Sequence, residues 1–387
     1  MKKKVYLMLS GGVDSSVAGA ILNENPDYKV IGVFMKCWSL EKLREKGFSD
    51  SIYACNWEED EVDARMAAMT LGIDFEVWDF QNEYADYVID YMIDEYSLGR
   101  TPNPDVMCNS VVKFGAFYNH AISLGAAYVA TGHYAKIINI NEDYYIGHSK
   151  DLAKDQSYFL WKIPKVCLSQ TLFPIGEINS KSEVRNIAAK YNLLTSTKKD
   201  SQGLCFVGKS NLSDMLTERL GVNNGIVYTK DIERAKNACI LTKSKLREYN
   251  LTGLMPIGSH QGAYHFTIGQ RNNLGVSGGP WFVSKVNIQQ NSIEVVHKDN
   301  SLELQLNRFI VTGVNLFNLI DKSTIYTCQV RYNQKLIKCT VSLILNTASG
   351  SSQYAIELQE STIIAPGQSF VMYNEDILVM GGIISYI

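Results

Sequence analysis

No apolar run in this sequence approaches the ~20 residues that a membrane-spanning helix needs. Paired cysteines are missing as well. The eight cysteines, at 37, 55, 108, 167, 205, 239, 328 and 339, never fall into the close spacing of a zinc site. A secretory signal is also lacking. Lys2-Lys3-Lys4 precede Val5-Tyr6-Leu7-Met8-Leu9, but this apolar stretch is short and runs straight into glycines, as a buried strand would. Without that signal there is no case for disulfides, and in a reducing compartment most of these thiols would be small buried hydrophobes. The expected location is cytoplasmic, and an organellar one also fits if a transit peptide has been removed.

A positive excess is absent too. The formal net charge is −3, which argues against a general nucleic-acid glue but leaves room for a local basic face. Charge is uneven. Met66 to Gly99 contains no Lys or Arg beside Asp74, Glu76, Asp79, Glu83, Asp86, Asp90, Asp94 and Glu95. Between Lys230 and Arg247 six basic residues face only Asp231 and Glu233, which predicts salt-sensitive, sequence-independent phosphate contacts.

There is no internal repeat and no low-complexity tract. At 387 residues the chain is too long for one ordinary core, so two or three domains are expected. The first part alternates: strands over Val5–Leu9, Lys29–Met35, Phe75–Phe80 and Ala127–Thr131, and helices to about Leu22 and over Glu58–Leu71, Tyr84–Tyr96 and Val111–Leu124. That alternation predicts an α/β fold on a mainly parallel sheet. Ser180-Lys181-Ser182-Glu183 has capping-box form and predicts a further helix. A polar, basic stretch follows, and the remainder reads as short strands, including Trp281–Val286 and Ser292–Val296, of a β-barrel or sandwich. The expected parts are an α/β domain over 1–208, a small central linking domain over 209–279, and a β-barrel over 280–387.

Ser10-Gly11-Gly12-Val13-Asp14-Ser15-Ser16 lies between a predicted buried strand and a predicted helix. There, backbone amides and a helix N-terminus cradle phosphate, and the serines add hydroxyl donors. Asp14 is unusual beside an anion and implies either a metal or an ordering role. Gly203-Leu204-Cys205-Phe206-Val207-Gly208-Lys209-Ser210 satisfies the letter of the P-loop pattern, but polar residues precede it where a strand should.

Two thiols stand out. Cys108 ends Thr101-Pro102-Asn103-Pro104-Asp105-Val106-Met107-Cys108 at a predicted helix start, where the dipole would favour a thiolate. Asp105, three residues earlier, could move protons. A cysteine that merely packs is the alternative. Cys205 follows Lys198 and Lys199, whose charge would favour its thiolate, and lies between glycines.

The seven-residue loop resembles that of the ATP-pyrophosphatase superfamily. With Gly99–Asn109, Ala130-Thr131-Gly132-His133-Tyr134, Lys154–Leu160, Gly203–Gly208, His260-Gln261-Gly262, Thr267–Arg271 and Pro366-Gly367-Gln368, nearly the whole chain resembles the tRNA-specific 2-thiouridylases. The stretch from Gly225 to Gly258 departs, being longer and more basic than the compact turn expected there.

The resemblance implies ATP with Mg²⁺, a tRNA substrate, a persulfide-bearing donor protein and a monomer, with no protein-held metal. Met8, Leu9, Ser10, Gly11, Gly12, Val13, Asp14, Ser15, Met35 and Gly132 would line the ATP site. Cys108 would be the nucleophile, Cys205 the persulfide carrier and Asp105 the acid–base group. Asn103, Pro104, Asp105, His133, Lys154, Asp155, Gln156, Arg331, Tyr332 and Gln368 would meet tRNA; by its residues alone, His133 could equally be a core histidine. An amidating ligase and a non-catalytic tRNA-binding protein remain the alternatives.

Overall fold

The computed structural model describes residues 2–49, 57–199, 212–238, 253–346 and 352–386. Strand β1 (Lys3–Met8) is buried along Val5–Met8 because it runs down the middle of a parallel sheet covered on both faces. The other strands of that sheet are β2 (Tyr28–Lys36), β3 (Asp74–Asp79) and β4 (Tyr128–Ala130), joined after a hairpin of β5 (Ala135–Ile140) and β6 (Asp143–His148) by β7 (Thr171–Leu172). Their order is β3-β2-β1-β4-β7, with every pairing parallel.

Side chains of β1 alternate between two cores. Val5 and Leu7 join Val17, Ala64, Ala68 and Val184 from helices Val13–Asn23, Trp57–Leu71 and Lys181–Lys190. Tyr6 and Met8 face the other core, with Tyr84, Val88, Met92 and Val112. The Ser180 hydroxyl caps its helix as expected, accepting from the Glu183 amide at 3.3 Å. The helical turns expected from Val111 start earlier, at Pro104, and from Cys108 to Phe117 they are wound as a wider π-helix.

The β5–β6 hairpin leaves this sheet. It turns through Asn141 and Glu142, both with positive φ, and β6 pairs with a strand near the far end of the chain. A second, four-stranded sheet has the order β10-β11-β8-β9, from β8 (Gly225–Thr229), β9 (Met255–His260), β10 (Trp281–Asn287) and β11 (Ser292–His297). Trp281–Val286 and Ser292–Val296, read from sequence with the barrel, thus pair with the central part. Their alternation was legible, but strand pairing is a long-range choice that alternation does not carry.

The barrel strands are β12 (Gln305–Leu316), β13 (Tyr326–Gln329), β14 (Ile337–Asn346), β15 (Ser352–Ile363), β16 (Ser369–Asn374) and β17 (Ile377–Tyr386). They follow the order β12-β15-β14-β13-β16-β17, and β17 pairs back onto β12 to close six strands. Cys328 and Cys339 are fully buried in its core, with Phe309, Ile356 and Phe370.

No helix among the described residues is long and apolar enough to cross a membrane. Four of the eight carboxylates in the acidic run are paired with cations from outside it. Lys29 pairs with Asp74, Lys46 with Asp86 and Asp90, and Arg100 with Glu95.

Candidate active site

Open parallel sheets bind ligands beyond the C-terminal ends of their strands, where strand order reverses. Here that point is β1, with β2 on one side and β4 on the other. Two turns meet there, one after β1 and one after β4. Met8 and Leu9 are buried at the end of β1, the Leu9 amide donates to the Val33 carbonyl at 2.9 Å, and Met35 is half-buried near the end of β2.

The first turn is pre-shaped. Gly11 has φ +72, and a side chain there would overlap the Asp60 carbonyl oxygen. The Ser15 hydroxyl accepts from the Ser10 amide at 3.1 Å and donates to the Gly12 carbonyl at 3.1 Å, which folds the loop over the start of the helix at Val13. The second turn presses against it. A Cβ on Gly132 would stand 2.7 Å from the Ser15 nitrogen, so only glycine fits between the two turns.

Asp14 is tied to neighbouring elements. Both its oxygens take the Lys181 ammonium at 2.8 Å, and one also accepts from the Tyr134 hydroxyl at 2.7 Å. Of the two roles its position implied, the contacts realise the ordering one: Asp14 locks the helix start to Tyr134 and to the capped helix. No three His, Cys, Asp or Glu side chains among the described residues converge as a metal cage. Magnesium in nucleotide sites commonly travels on the phosphates and takes only one or two protein carboxylates.

The Lys198 ammonium is bound by the Gly11 carbonyl at 3.1 Å, Asp60 at 2.8 Å and Asp63 at 2.5 Å. Burial opposes this ammonium, but hydrogen bonding to Asp60 and Asp63 prevails and raises its pKa. Cys205, the Gly203–Ser210 string, Lys243, Lys245 and Arg247 lie outside the described residues. Of the basic stretch, Lys230 pairs with Glu294 and Arg234 with Asp299.

The loop before Asp105 is where three parts of the chain meet. The Thr101 amide donates to the Pro366 carbonyl at 3.1 Å, and the Thr101 hydroxyl lies 2.8 Å from that of Thr267 in the central part. Gln368 donates its side-chain amide to the Thr101 carbonyl at 2.8 Å, and the Ser369 amide donates to Asn103 Oδ1 at 2.7 Å. Pro104 then opens the helix at a position that needs no N–H. Cys108 is buried, 5% exposed, one turn further in than expected. Dipole assistance fades within the first turn, so Cys108 lies beyond the reach of the helix start. Burial raises the pKa of Asp105, and the positive charge of Lys113 pulls it back down.

The residues assigned to tRNA divide into two sets. Arg331 is exposed and Lys154 half-exposed. Tyr332 is half-buried with its ring 4.4 Å from that of Phe159, and its pKa is raised by burial and then by Asp155 and Asp105. The others are bound within the protein. Asp155 accepts from the Ser149 amide at 2.7 Å and the Ser157 hydroxyl at 2.5 Å, and lies 3.0 Å from His148 Nδ1. Gln156 accepts from the Tyr134 amide at 3.0 Å. His133 is buried with Nδ1 2.7 Å from the Thr131 hydroxyl and Nε2 3.4 Å from Lys113 Nζ, and burial followed by the Lys113 charge lowers its pKa well below the usual histidine range. Sequence reasoning missed Lys113, Lys181 and Tyr134 as side chains of this site. Lysines carry no local pattern that separates a site ammonium from a solvated one.

Comparison with known proteins agrees with this architecture. Residues 3–209 match a family model described as a tRNA methyl transferase HUP domain, residues 251–297 a tRNA methyl transferase PRC-barrel domain, and residues 303–384 an aminomethyltransferase beta-barrel domain. The tRNA-specific 2-thiouridylase MnmA of Christiangramia forsetii is 40% identical, over 99% of this chain and 100% of its own. That of Nitrosomonas eutropha is 36% identical, over 99% of each chain, and that of Listeria welshimeri 37% identical, over 98% of this chain and 94% of its own. The domain descriptions carry a methyltransferase label, whereas these full-length relatives share a single other name. Identity at that level, sustained along essentially the whole length, shows that the chain belongs to the tRNA-specific 2-thiouridylase family.

Proposed function

We propose that the protein is a tRNA-uridine 2-sulfurtransferase that activates the base with ATP, acts on the wobble uridine at position 34, and takes sulfur from a cysteine persulfide. The observation that carries this reading is the junction at Gly132 and His133. Gly132 touches the phosphate loop at Ser15, and His133 lies beside Lys113, on the helix that bears Cys108 and just past Asp105. The nucleotide cradle and the Asp105–Cys108 loop thus face one site.

ATP would lie on the loop, with its triphosphate on the amides of Gly11 to Ser15. The uridine must be splayed out of its stack to enter. Asp105, ionised, takes the proton from N3, so that O2 attacks the α-phosphorus and pyrophosphate leaves. Burial suits Asp105 to this, because a carboxylate with a raised pKa is the stronger base. The terminal sulfur of a persulfide on Cys205 then bonds to C2, and AMP departs with the former O2. Cys108, as thiolate, attacks the Cys205 sulfur. The sulfur–sulfur bond to the base breaks, a Cys108–Cys205 disulfide forms, and 2-thiouridine is released. A thiol reductant must open that disulfide before the next cycle. Lys154 and Arg331 would meet the RNA backbone, and a persulfide-bearing donor protein would reload Cys205.

The test is mass spectrometry of nucleosides from tRNA incubated with the protein, ATP and a persulfide donor, with pyrophosphate followed in parallel. 2-Thiouridine with matching pyrophosphate is expected. Pyrophosphate with nitrogen in place of sulfur would indicate an amidating ligase, and tRNA binding without pyrophosphate a non-catalytic protein.

A further inference from the structure

We propose that Lys113 is a positioning residue of this active site, the cation that links the phosphate loop to the acid–base carboxylate. The argument begins with the helix. Lys113 lies on the π-wound stretch from Cys108 to Phe117, which continues the helix opened at Pro104–Met107, so Asp105, Cys108 and Lys113 are carried by one continuous helical element.

Its ammonium is held by groups that are themselves fixed. It donates to Asn109 Oδ1 at 2.9 Å, and the Asn109 amide nitrogen donates in turn to the Phe159 carbonyl at 3.0 Å. It lies 3.4 Å from His133 Nε2, on a ring set between Phe114 and Phe173. An ammonium can only donate, so Nε2 accepts and the imidazole proton sits on Nδ1, facing the Thr131 hydroxyl; this tautomer is assigned from the network. His133 directly follows Gly132, which touches Ser15. One cation therefore spans the distance from the nucleotide turn to the base-handling loop.

The titratable groups around this spot include Asp105 and Cys108 on the helix, His133 from the turn after β4, Lys162 against Met107, Tyr332 from the barrel, and Asp155, which acts on Tyr332. Two effects follow from a positive charge placed there. Asp105 stays ionised to lower pH than its burial alone would allow, and His133 stays neutral. Removing the charge moves the Asp105 pKa up, so the acid limb of the reaction must move to higher pH.

The inference rests on the reading of Asp105 as the base, and the experiment separates the two. Single-turnover thiolation of tRNA by the full-length protein is measured from acid to neutral pH for the wild type, Lys113→Met, Lys113→Gln, Lys113→Arg and Asp105→Asn. In Lys113→Met the acid limb should move up by about one unit, a rate about tenfold lower at pH values below both limbs. Lys113→Gln keeps hydrogen-bond donors without the charge and should move the limb equally; it decides the matter if the methionine variant does not fold. Lys113→Arg should restore the wild-type limb. A uniform loss of rate in Lys113→Gln, with the limb in place, overturns the proposal and leaves Lys113 a structural anchor. An Asp105→Asn protein that keeps both rate and limb would instead sink the reading of Asp105.

Discussion

The Ser369 backbone amide donates to Asn103 Oδ1 at 2.7 Å, across 266 positions of sequence. Together with Gln368 on the Thr101 carbonyl, this bond makes a barrel turn the mould of the loop that leads into Asp105. The barrel thus shapes the loop that carries the proposed base.

Asn103→Ala removes that acceptor and frees the loop. Misplacement of about 1 Å can cost ~100-fold in rate, so single-turnover thiolation should fall by roughly 10- to 100-fold. ATP affinity should stay within about twofold, because the phosphate loop shares no hydrogen bond with Asn103. Unchanged thiolation would remove the barrel from the mechanism.

Asp14 and Lys181 should behave as a pair. Asp14→Ala removes the carboxylate that takes two hydrogen bonds from Lys181, a side chain only 15% exposed, at a cost of about 1–3 kcal/mol in a urea melt. Adding Lys181→Met should cost less than the sum of the two single changes, because they share one interaction. All three variants should lose AMP formation. A cycle that adds independently would mean that the two do not interact.

The two proposed sulfur-handling thiols should fail at different steps. Cys205→Ser should refuse sulfur from the donor while still releasing pyrophosphate with tRNA. Cys108→Ser should load sulfur on Cys205 and then stall before 2-thiouridine appears. Alkylation with mass-spectrometric mapping reads both. Normal thiolation by either variant would rule out the two-cysteine exchange.

Trp161 links stability to rate. It is fully buried, and its indole N–H donates to the Ser369 hydroxyl at 2.9 Å. Trp161→Ala should cost about 3–5 kcal/mol. Trp161→Phe keeps most of the packing but leaves that hydroxyl without its donor, for a cost of about 1–3 kcal/mol. Because the Ser369 amide holds Asn103, the phenylalanine variant should also slow thiolation more than it weakens ATP binding. Denaturant melts and single-turnover rates on the same preparations test both claims.

Much of the α/β part was legible because its signals are local. A buried β-branched run beside a glycine turn, and a serine three residues before a glutamate, announce themselves within a few positions. The β5–β6 hairpin was missed although Asn141-Glu142 between Ile137–Ile140 and Tyr144–Ile146 is a short-range turn signal. The π-winding from Cys108 was not legible, since nothing in Cys108–Phe117 distinguishes it from an ordinary amphipathic helix. Asp14 and Lys198 illustrate the same limit in charge. Sequence placed both near the right loops, but their partners, Lys181 for one and Asp60 with Asp63 for the other, come from distant helices.

Thr101 waits on residues that are made late. Pro366, Gln368 and Ser369 emerge from the ribosome some 266 residues after the loop they hold, an interval of tens of seconds at ~5–20 residues per second. During that time the first sheet can close and the nucleotide turn can form, but Asp105 and Cys108 have no fixed address. On a nascent chain the turn at Gly11–Ser15 can therefore form well before the loop at Thr101–Asn103 has its partners.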